Sequence, residues 1–192
     1  MRELALHLLD LAQNSLAAGA TRLRIEVRLD KAADRLSLTV EDNGRGIPDR
    51  MLARVTDPFV TSRKTRRVGL GLALLKAAAQ RAGGDLTITS REGMGTTVTA
   101  TFRAGHLDRA PLGDLAGTIV TVLACNPQLE LELVAAWNGQ VFNFSTTAWR
   151  EAVGAGVSAD PAVYSSLHRY LAAGLAPLRA AEEAAMAPPT EG

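Results

Sequence analysis

The sequence predicts an α/β protein whose first half is a two-layer sandwich of helices and strands. Residues 21–29 and 36–41 alternate apolar and polar side chains, as strands with one buried face do. Residues 3–18 instead repeat apolar residues at helical spacing, and so does the stretch from Val68 to Gly83. Two more strands and a short helix complete four strands and three helices, enough for one sheet layer and one helix layer. These added elements are the strands at 86–88 and 98–102 and the helix around 49–55.

The composition is that of an ordinary globular chain. The 192 residues include 21 Lys and Arg against 20 Asp and Glu, so the net charge of +1 provides no global attraction to nucleic acid or anionic lipid. The chain contains no apolar run near 18 residues, no metal-site spacing and no Walker A or GxGxxG motif. The lone Cys125, in an apolar helical context, is expected to be a buried thiol. We therefore expect a soluble cytoplasmic protein with no membrane partner.

A polar line runs along the first predicted helix. Glu3, His7, Asp10 and Asn14 follow one another at spacings of four, three and four, which places them on one side of the helix. The rest of the helix is apolar nearly all round, so it is expected to be buried. A polar line on a buried helix must meet polar groups or water. It is a candidate site, although a line that merely faces solvent would show the same spacing.

A glycine-rich loop follows the second predicted strand. Asp42 lies at the strand end, Gly44 and Gly46 allow a turn and a close backbone approach to a ligand, and Pro48 suits the first turn of a short helix. An Asx turn with a solvated carboxylate would give the same local pattern.

Residues 42–47, Asp-Asn-Gly-Arg-Gly-Ile, resemble the DNGxGI box of the GHKL superfamily. That superfamily includes gyrase, sensor histidine kinases, MutL mismatch-repair proteins and a heat-shock chaperone, and it has a Bergerat-type ATP-binding fold. The resemblance implies that Asp42 accepts the adenine amino group of ATP. It also implies that Gly44, Gly46 and Ile47 lie at the nucleotide.

Residues 10–21 resemble the N box of the superfamily, and most closely its MutL version. The resemblance implies that Asn14 coordinates a Mg²⁺ that bridges the ATP phosphates. Asp10 stands where the ATP-hydrolysing members have a Glu as general base. The Asp side chain is one methylene shorter, and a base displaced by roughly 1 Å can lose about a hundredfold in rate. Mg-ATP binding is therefore expected to carry over better than fast hydrolysis.

The stretch 57–67 is strongly basic and resembles the F box and ATP lid of histidine kinases. The resemblance implies that Thr61, Arg63 and Lys64 bind the nucleotide. Arg63 or Lys64 would contact phosphate, because cations beside a triphosphate make charge-assisted hydrogen bonds. A solvated basic loop is the alternative interpretation. The lid is shorter than in many members.

Gly69, Leu70 and Gly71 open the next predicted helix and resemble the second glycine box, whose backbone N–H groups hold phosphate. Members often carry a further glycine where this chain has Arg67. The later stretch 95–97 resembles the last box, in which a threonine supports the adenine-binding acid, and Thr97 is the candidate here. The resemblance covers about residues 1–103, and predicts an ATP-binding domain at 1–104.

The remaining chain carries weaker signals. A small α+β region is expected over 105–174, with a helix from Leu115 to Asn126 and a hairpin whose turn is Asn138-Gly139. A last helix is predicted to begin at Asp160-Pro161. The Ala-, Pro- and Glu-rich tail over 175–192 is expected to be disordered or only weakly helical.

Two functions fit these motifs, and a third fits less well. The first is a stand-alone regulatory kinase or slow ATPase that transfers phosphate to a partner protein in trans. No segment with a phosphoacceptor histidine precedes the ATP-binding domain in this sequence, so the acceptor is expected on another chain, as in anti-sigma-factor serine kinases. The second is an ATP-gated protein-binding module with little catalysis. A MutL-like nucleic-acid clamp is disfavoured by the balanced charge. A homodimer is compatible with the sequence.

Overall fold

The computed structural model describes residues 3–52, 70–153 and 161–187. Its helices and strands follow the predicted order. They are α1 Leu4–Ala17, β1 Arg22–Asp30, β2 Arg35–Asp42, α2 Asp49–Leu52, α3 Leu70–Arg81, β3 Leu86–Arg91, β4 Gly95–Arg103, α4 Leu115–Cys125, β5 Glu130–Trp137, β6 Gln140–Ser145, α5 Thr146–Val153 and α6 Pro161–Met186.

The six described strands form one sheet in the order β3-β4-β2-β1-β5-β6. Strand β1 pairs antiparallel with β2 and parallel with β5, and the other neighbouring pairs are antiparallel. The predicted α/β sandwich is confirmed, and the sheet is wider than the first half of the chain alone would make it. The strands of the C-terminal region extend the sheet beyond β1.

The helices cover one face of this sheet. Helix α1 contacts both α3 and α4, and α4 contacts α6, so the helix layer runs α3, α1, α4, α6 in the same direction as the strand order. The alternating apolar side chains of β1 and β2, such as Ile25 and Leu38, are buried against these helices. Their polar neighbours lie on the opposite face, which is uncovered as far as the described residues go. One hydrophobic core therefore extends under all four helices.

The connection between the two halves of the chain is fixed by hydrogen bonds to α1. The first backbone N–H groups of a helix have no partner within the helix. Here the N–H of Leu4 donates to the carbonyl of Pro111 at 2.9 Å, and that of Ala5 donates to Leu112 at 2.8 Å. The segment after β4 thus caps the helix that carries the predicted polar line.

The chain beyond residue 174 differs from the sequence prediction of a disordered or weakly helical tail. Helix α6 continues to Met186, and Leu175, Leu178 and Glu182 are buried. Their spacing continues the apolar face of Leu171 at three- and four-residue intervals. Alanine is also the strongest helix former, so the Ala-rich composition favours this helix instead of ending it. The prediction was wrong for residues 175–186.

The expectation for Cys125 was also wrong. It is the last residue of α4 and its side chain is exposed. The helix turns its apolar face to α1 and α6, and Cys125 lies outside that face. Among the described residues, no helix combines the length and the apolar character needed to cross a membrane.

Candidate functional site

Asp42 is the last residue of β2 and receives hydrogen bonds from three parts of the chain. The Ser15 hydroxyl of α1 donates to Oδ2 at 2.5 Å, while the Gly44 and Thr96 N–H groups donate to Oδ1 at 2.9 and 3.2 Å. An Asx turn is present through Gly44, but the carboxylate is also fixed by α1 and β4. The simpler interpretation, a solvated carboxylate in a local turn, does not describe it.

Among the described residues, the donors that reach the Asp42 carboxylate leave room for one more. An ionised carboxyl has about four acceptor positions, and three are used by Ser15, Gly44 and Thr96. The side chain is only partly buried, on the face of the sheet that the helices cover. An amino group of a ligand at this strand end would therefore meet a rigid, partly desolvated acceptor.

Asn43, the residue after Asp42, forms hydrogen bonds that hold the loop to the rest of the protein. Its side-chain Oδ1 accepts from the N–H groups of Thr21 and Arg22 at 2.9 and 2.8 Å, and its Nδ2 donates to the Thr21 hydroxyl. These bonds tie the loop after β2 to the start of β1. Asn43 thus stabilises the loop from the side opposite the turn between β3 and β4.

The two glycines of the loop lie against protein at the positions where a Cβ would be. At Gly46, with φ of +68°, a Cβ would lie 2.1 Å from the Arg91 carbonyl oxygen. At Gly44 it would lie 3.0 Å from the Ala18 Cβ. Any side chain would push the loop off α1 or off the β3–β4 turn. The structural demand for glycine is thus explained by packing, and contact of Gly44 and Gly46 with a ligand stays a prediction.

The loop is fastened to the β3–β4 turn by two further bonds. The Ile47 N–H donates to the Ser90 hydroxyl at 2.8 Å, and the Gly93 N–H donates to the Arg45 carbonyl at 2.8 Å. The predicted site residue Ile47 is partly buried. Its backbone N–H is engaged within the protein, and contact of Ile47 with a nucleotide stays a prediction.

The threonine that contacts Asp42 is Thr96, not the predicted Thr97. The strand register pairs Thr96 with Asp42 and Thr97 with Glu41. Because successive side chains of a strand point to opposite faces, Thr97 lies on the uncovered face of the sheet with Glu41. The Thr96 contact is made by its backbone N–H, and the role assigned to Thr97 at the nucleotide stays a prediction. The alternation of β4, in which Val98 and Ala100 are buried, contains the signal that would have found Thr96.

Asp10 and Asn14 lie where α1 meets the start of α3. A Cβ added to Gly71 would be 3.5 Å from Asp10 Oδ2 and 3.8 Å from Asn14 Nδ2. The first turn of α3 therefore lies directly against both side chains. Unpaired N–H groups and the positive end of the helix dipole make such a turn favourable for anions. The structure brings together the predicted residues Asp10, Asn14 and Gly71, the last of which is the second residue of α3.

His7, one turn before Asp10, is a buried member of the polar line. It is 2 % exposed, and Nδ1 has no hydrogen-bond partner within the described part of the chain. Burial, together with the positive charge of Arg81, lowers the pKa of His7 to about 4. The imidazole is thus neutral at physiological pH. A line that only faces water does not explain this buried side chain.

The predicted lid residues Thr61, Arg63 and Lys64, and the predicted Gly69, lie outside the described residues. Within the described ranges, no group of three or more His, Cys, Asp or Glu side chains could hold a metal ion by itself. Asn14 and Asp10, both at the first turn of α3, offer oxygen donors of the kind that Mg²⁺ takes, since this ion commonly binds one or two protein oxygens and completes its shell with water and phosphate.

Residues 1–106 match the family described as "Histidine kinase-, DNA gyrase B-, and HSP90-like ATPase". The chain belongs to this ATPase family. The match spans more than half of the chain, and it includes every element that surrounds Asp42. The resemblance inferred from the sequence motifs is confirmed.

Relatives in this family include much longer proteins. The chain is 38% identical over 111 residues to the "Non-motile and phage-resistance protein" of Caulobacter vibrioides, which covers 53% of the chain and 13% of the relative. It is 32% identical over 108 residues to a "Putative sensor histidine kinase NtrY-like" of Rickettsia conorii, covering 56% of the chain and 18% of that protein. The chain thus spans less than a fifth of the length of these curated relatives.

A solved structure shares the fold over most of the chain. The "N terminal domain of a DNA repair protein" aligns with a TM-score of 0.55 over 81% of this chain and 58% of its own. Its sequence identity is 16%, so the likeness concerns the fold alone. The alignment extends beyond the residues that match the family.

Proposed function

We propose that this protein binds Mg-ATP between α1, the loop after β2 and the first turn of α3, and that it transfers the γ-phosphate to a partner protein or hydrolyses it slowly. Membership of the ATPase family supports nucleotide binding. Kinase relatives support phosphate transfer, although they are far longer than this chain.

The position of α1 is the observation that carries the proposal. Ser15 on this helix holds Asp42 at one end of the site, and Asp10 lies against the first turn of α3 at the other. Five residues of helix separate them, about 7.5 Å along the axis. Helix α1 thus lines the proposed site from end to end, with room for a purine base at Asp42 and for phosphate groups at the start of α3.

Each residue at the phosphate end has a chemistry that fits the proposal. The Asn14 amide oxygen is a suitable ligand for a hard cation. Mg²⁺, when bound there with ATP, would neutralise phosphate charge. The backbone N–H groups at the start of α3 would donate to phosphate oxygens. Asp10 is in reach of that turn and would orient a water or an attacking hydroxyl.

The adenine assignment has a direct test in Asp42→Asn. The amide has one oxygen acceptor and turns a donor toward the amino group of the base. Losing a hydrogen bond to a charged group costs about 1.5–3 kcal/mol, or roughly ten- to hundredfold in affinity. Calorimetric titration with Mg-ATP should show this loss in a variant whose circular dichroism is unchanged. ATP binding of undiminished affinity by the folded variant would refute the assignment.

A second function, an ATP-gated protein-binding module, is favoured by one specific feature. The Glu182 carboxylate of α6 accepts from the Leu112 N–H at 2.7 Å, and the carbonyl of Leu112 accepts from Ala5 of α1 at 2.8 Å. Two hydrogen bonds thus connect the C-terminal helix with the helix that lines the nucleotide site. A movement of α1 on ATP binding would be passed to α6.

The two functions are distinguished by separate measurements. Labelled γ-phosphate appearing on a partner protein, or released to solvent, supports the kinase or ATPase. The gated module predicts a nucleotide-dependent signal in the C-terminal region without transfer. Both tryptophans, Trp137 and Trp149, lie in that region, so their emission is an intrinsic reporter. No change in tryptophan emission at saturating Mg-ATP would contradict the gated module.

A further inference from the structure

Strand β6 is an edge strand of unusual composition. Among the described residues it pairs only with β5, which leaves its other side without a partner. Its six residues, Gln-Val-Phe-Asn-Phe-Ser, contain no charge and no proline. Proteins usually protect an open edge with charges, proline or a bulge, since an unprotected edge pairs with other strands. Val141 is 56 % exposed on this strand.

The hairpin defines which backbone groups of β6 point outward. Asn138 and Gly139 form a two-residue turn with φ of 47° and 82°, so Trp137 and Gln140 are the hydrogen-bonded pair that closes it. Bonding alternates along an antiparallel pair. Phe142 and Phe144 therefore direct their N–H and C=O groups at β5. Val141, Asn143 and Ser145 direct theirs at the open edge, with Asn143 in the middle.

The helix layer ends on the same side with an uncharged surface of its own. Helices α5 and α6 both contact β5 and β6 at this side, and the Trp149 ring of α5 lies 5.5 Å from the Tyr170 ring of α6. Helix α6 exposes a stripe at spacings of three and four residues, which places the stripe on one face. The stripe consists of Tyr170, Ala173, Pro177, Ala180 and Ala184. The Tyr170 ring lies 5.8 Å from that of Phe142 and joins the stripe to β6.

We propose that this side of the molecule is a self-association surface, on which β6 pairs antiparallel with β6 of a second copy about a two-fold axis at Asn143. Such a pairing aligns Asn143 with its own copy and Val141 with Ser145, so outward N–H and C=O groups meet each other. The strand carries no charge that would repel its copy.

A second copy fits this surface better than an extended peptide does. A peptide would add one strand and leave the α6 stripe uncovered. A two-fold copy keeps both helix layers on the same side of a joined sheet, so α6 approaches its counterpart as β6 pairs. A stable interface needs roughly 1,200–2,000 Å² of buried surface. One six-residue strand pair, about 20 Å long, covers only part of that area, and small side chains on α6 allow the helices to supply the rest.

The first test is the mass of the full chain by light scattering over a dilution series. We expect a species of twice the 20.3 kDa of one chain. Val141→Lys adds a charge to each paired strand, the device by which natural sheet edges avoid pairing, and should weaken association by about tenfold or more. Thr89→Lys is the matched control, because Thr89 is exposed on the other edge strand, β3, and the charge change is the same. Thermal unfolding checks that both variants are folded.

The second test addresses the register in a Cys125→Ala background. Asn143→Cys should form an intermolecular disulfide, because residues paired on the axis have Cα atoms about 5.5 Å apart. Gln140→Cys lies three residues off the axis, so its two copies would be about 20 Å apart and should not cross-link.

Three outcomes overturn the proposal. They are a chain that stays monomeric at every concentration, a dimer that Val141→Lys and Thr89→Lys weaken equally, and disulfide formation as fast at position 140 as at 143. A dimer weakened only by Val141→Lys and cross-linked only at position 143 supports it.

Discussion

At the scale of single residues, the proposed nucleotide site depends on how firmly one carboxylate is held. Asp42 receives donors from α1, from its own loop and from β4, so its orientation is the product of three elements. Ser15 is 5 % exposed and makes the shortest of these bonds. We expect that it contributes to ATP affinity by keeping Asp42 in place, although the sequence motifs did not point to it.

Ser15→Ala should therefore weaken Mg-ATP binding by about tenfold and leave the fold intact, because a hydrogen bond to a charged group contributes about 1.5–3 kcal/mol and part of that is recovered from water. Thr97→Val is the matched control. It removes a hydroxyl from the adjacent strand, but on the uncovered face of the sheet, and should not change the affinity. Calorimetric titration of both variants decides the matter. Equal losses would show that the face on which the hydroxyl lies is irrelevant.

The sequence predicted Asp42 but neither Ser15 nor Thr96, for a physical reason. The end of a strand and a glycine turn are local features, and local side-chain alternation reveals them. A contact between α1 and the end of β2 depends on how two elements pack. The face on which Thr96 lies was readable from the alternation of β4, because Thr96 shares it with Val98 and Ala100; its pairing with Asp42 depends on the register of β4 against β2, which no local pattern states.

His7 predicts a pH dependence of stability. Burial lowers its pKa from 6.5 to about 4 in the folded protein, so between these values the unfolded chain binds a proton there and the folded chain does not. The free energy of unfolding should therefore fall as the pH is lowered from about 6.5 towards 4. His7→Leu should flatten this dependence, whereas His168→Gln, on the half-exposed His168, should keep it. Urea unfolding at a series of pH values measures it, and an unchanged slope in His7→Leu would be contrary evidence.

At the scale of elements, α1 gives both a core face and a wall of the proposed site. Leu4, Leu8 and Leu11 are buried, while Asp10 and Asn14 face the start of α3. The sequence located this helix to within a residue or two, because Gly19, with φ of +82°, ends it and the polar spacing is regular. That the polar line faces the start of α3 could not be predicted from such local features, since α3 begins about 60 residues later in the chain.

Asp10 and Asn14 are expected to separate turnover from binding. Asp10→Glu restores the longer side chain and should raise phosphate release without a comparable change in affinity, as an interaction made mainly in the transition state does. Asn14→Ala should instead remove the Mg²⁺ dependence of ATP binding. Steady-state phosphate release and titrations with and without Mg²⁺ measure these effects. A slower Asp10→Glu variant would mean that the shorter carboxylate already has the reach that general-base chemistry needs.

The pairing of β5 with β1 shows where element-scale prediction ends. Strand β1 was predicted from alternation, and the β5–β6 hairpin from Asn138-Gly139. Their union in one sheet joins Arg22 and Glu130, which are more than 100 residues apart. Parallel strands need a long crossover, and in the described chain three strands, β2 to β4, and three helices, α2 to α4, intervene. Which strand pairs with β1 is therefore decided by the packing of the whole fold and not by a local pattern.

At the scale of the whole molecule, the C-terminal region forms part of both layers of the protein, the sheet and the helices. Its strands widen the sheet, its helices continue the helix layer, and the segment 104–112 caps α1. The centre of this junction is a buried ion pair, in which Arg109 Nη1 donates to Glu182 at 2.6 Å and Arg109 Nε donates to the Ala104 carbonyl at 2.7 Å. The Arg109 side chain is fully buried. The sequence offered no sign of this pair, because Arg109 lies before the first helix predicted for the C-terminal region and Glu182 lies in the predicted tail.

Glu182→Gln should reveal how much of the molecule depends on this junction. The amide can still accept from the Leu112 N–H, but it leaves the buried Arg109 charge without its counter-charge. Removing one member of a buried pair costs about 3–5 kcal/mol. The neighbouring Glu183 is exposed, so Glu183→Gln is a control with the same chemical change and should cost almost nothing.

Because the junction also caps α1, the Glu182 variant should bind Mg-ATP more weakly where it remains folded. Urea unfolding and calorimetric titration of both variants test this. A Glu182→Gln protein as stable as Glu183→Gln would show that the buried pair does not hold the two halves together, and unchanged ATP affinity in a destabilised variant would show that the junction is structural and not coupled to the site.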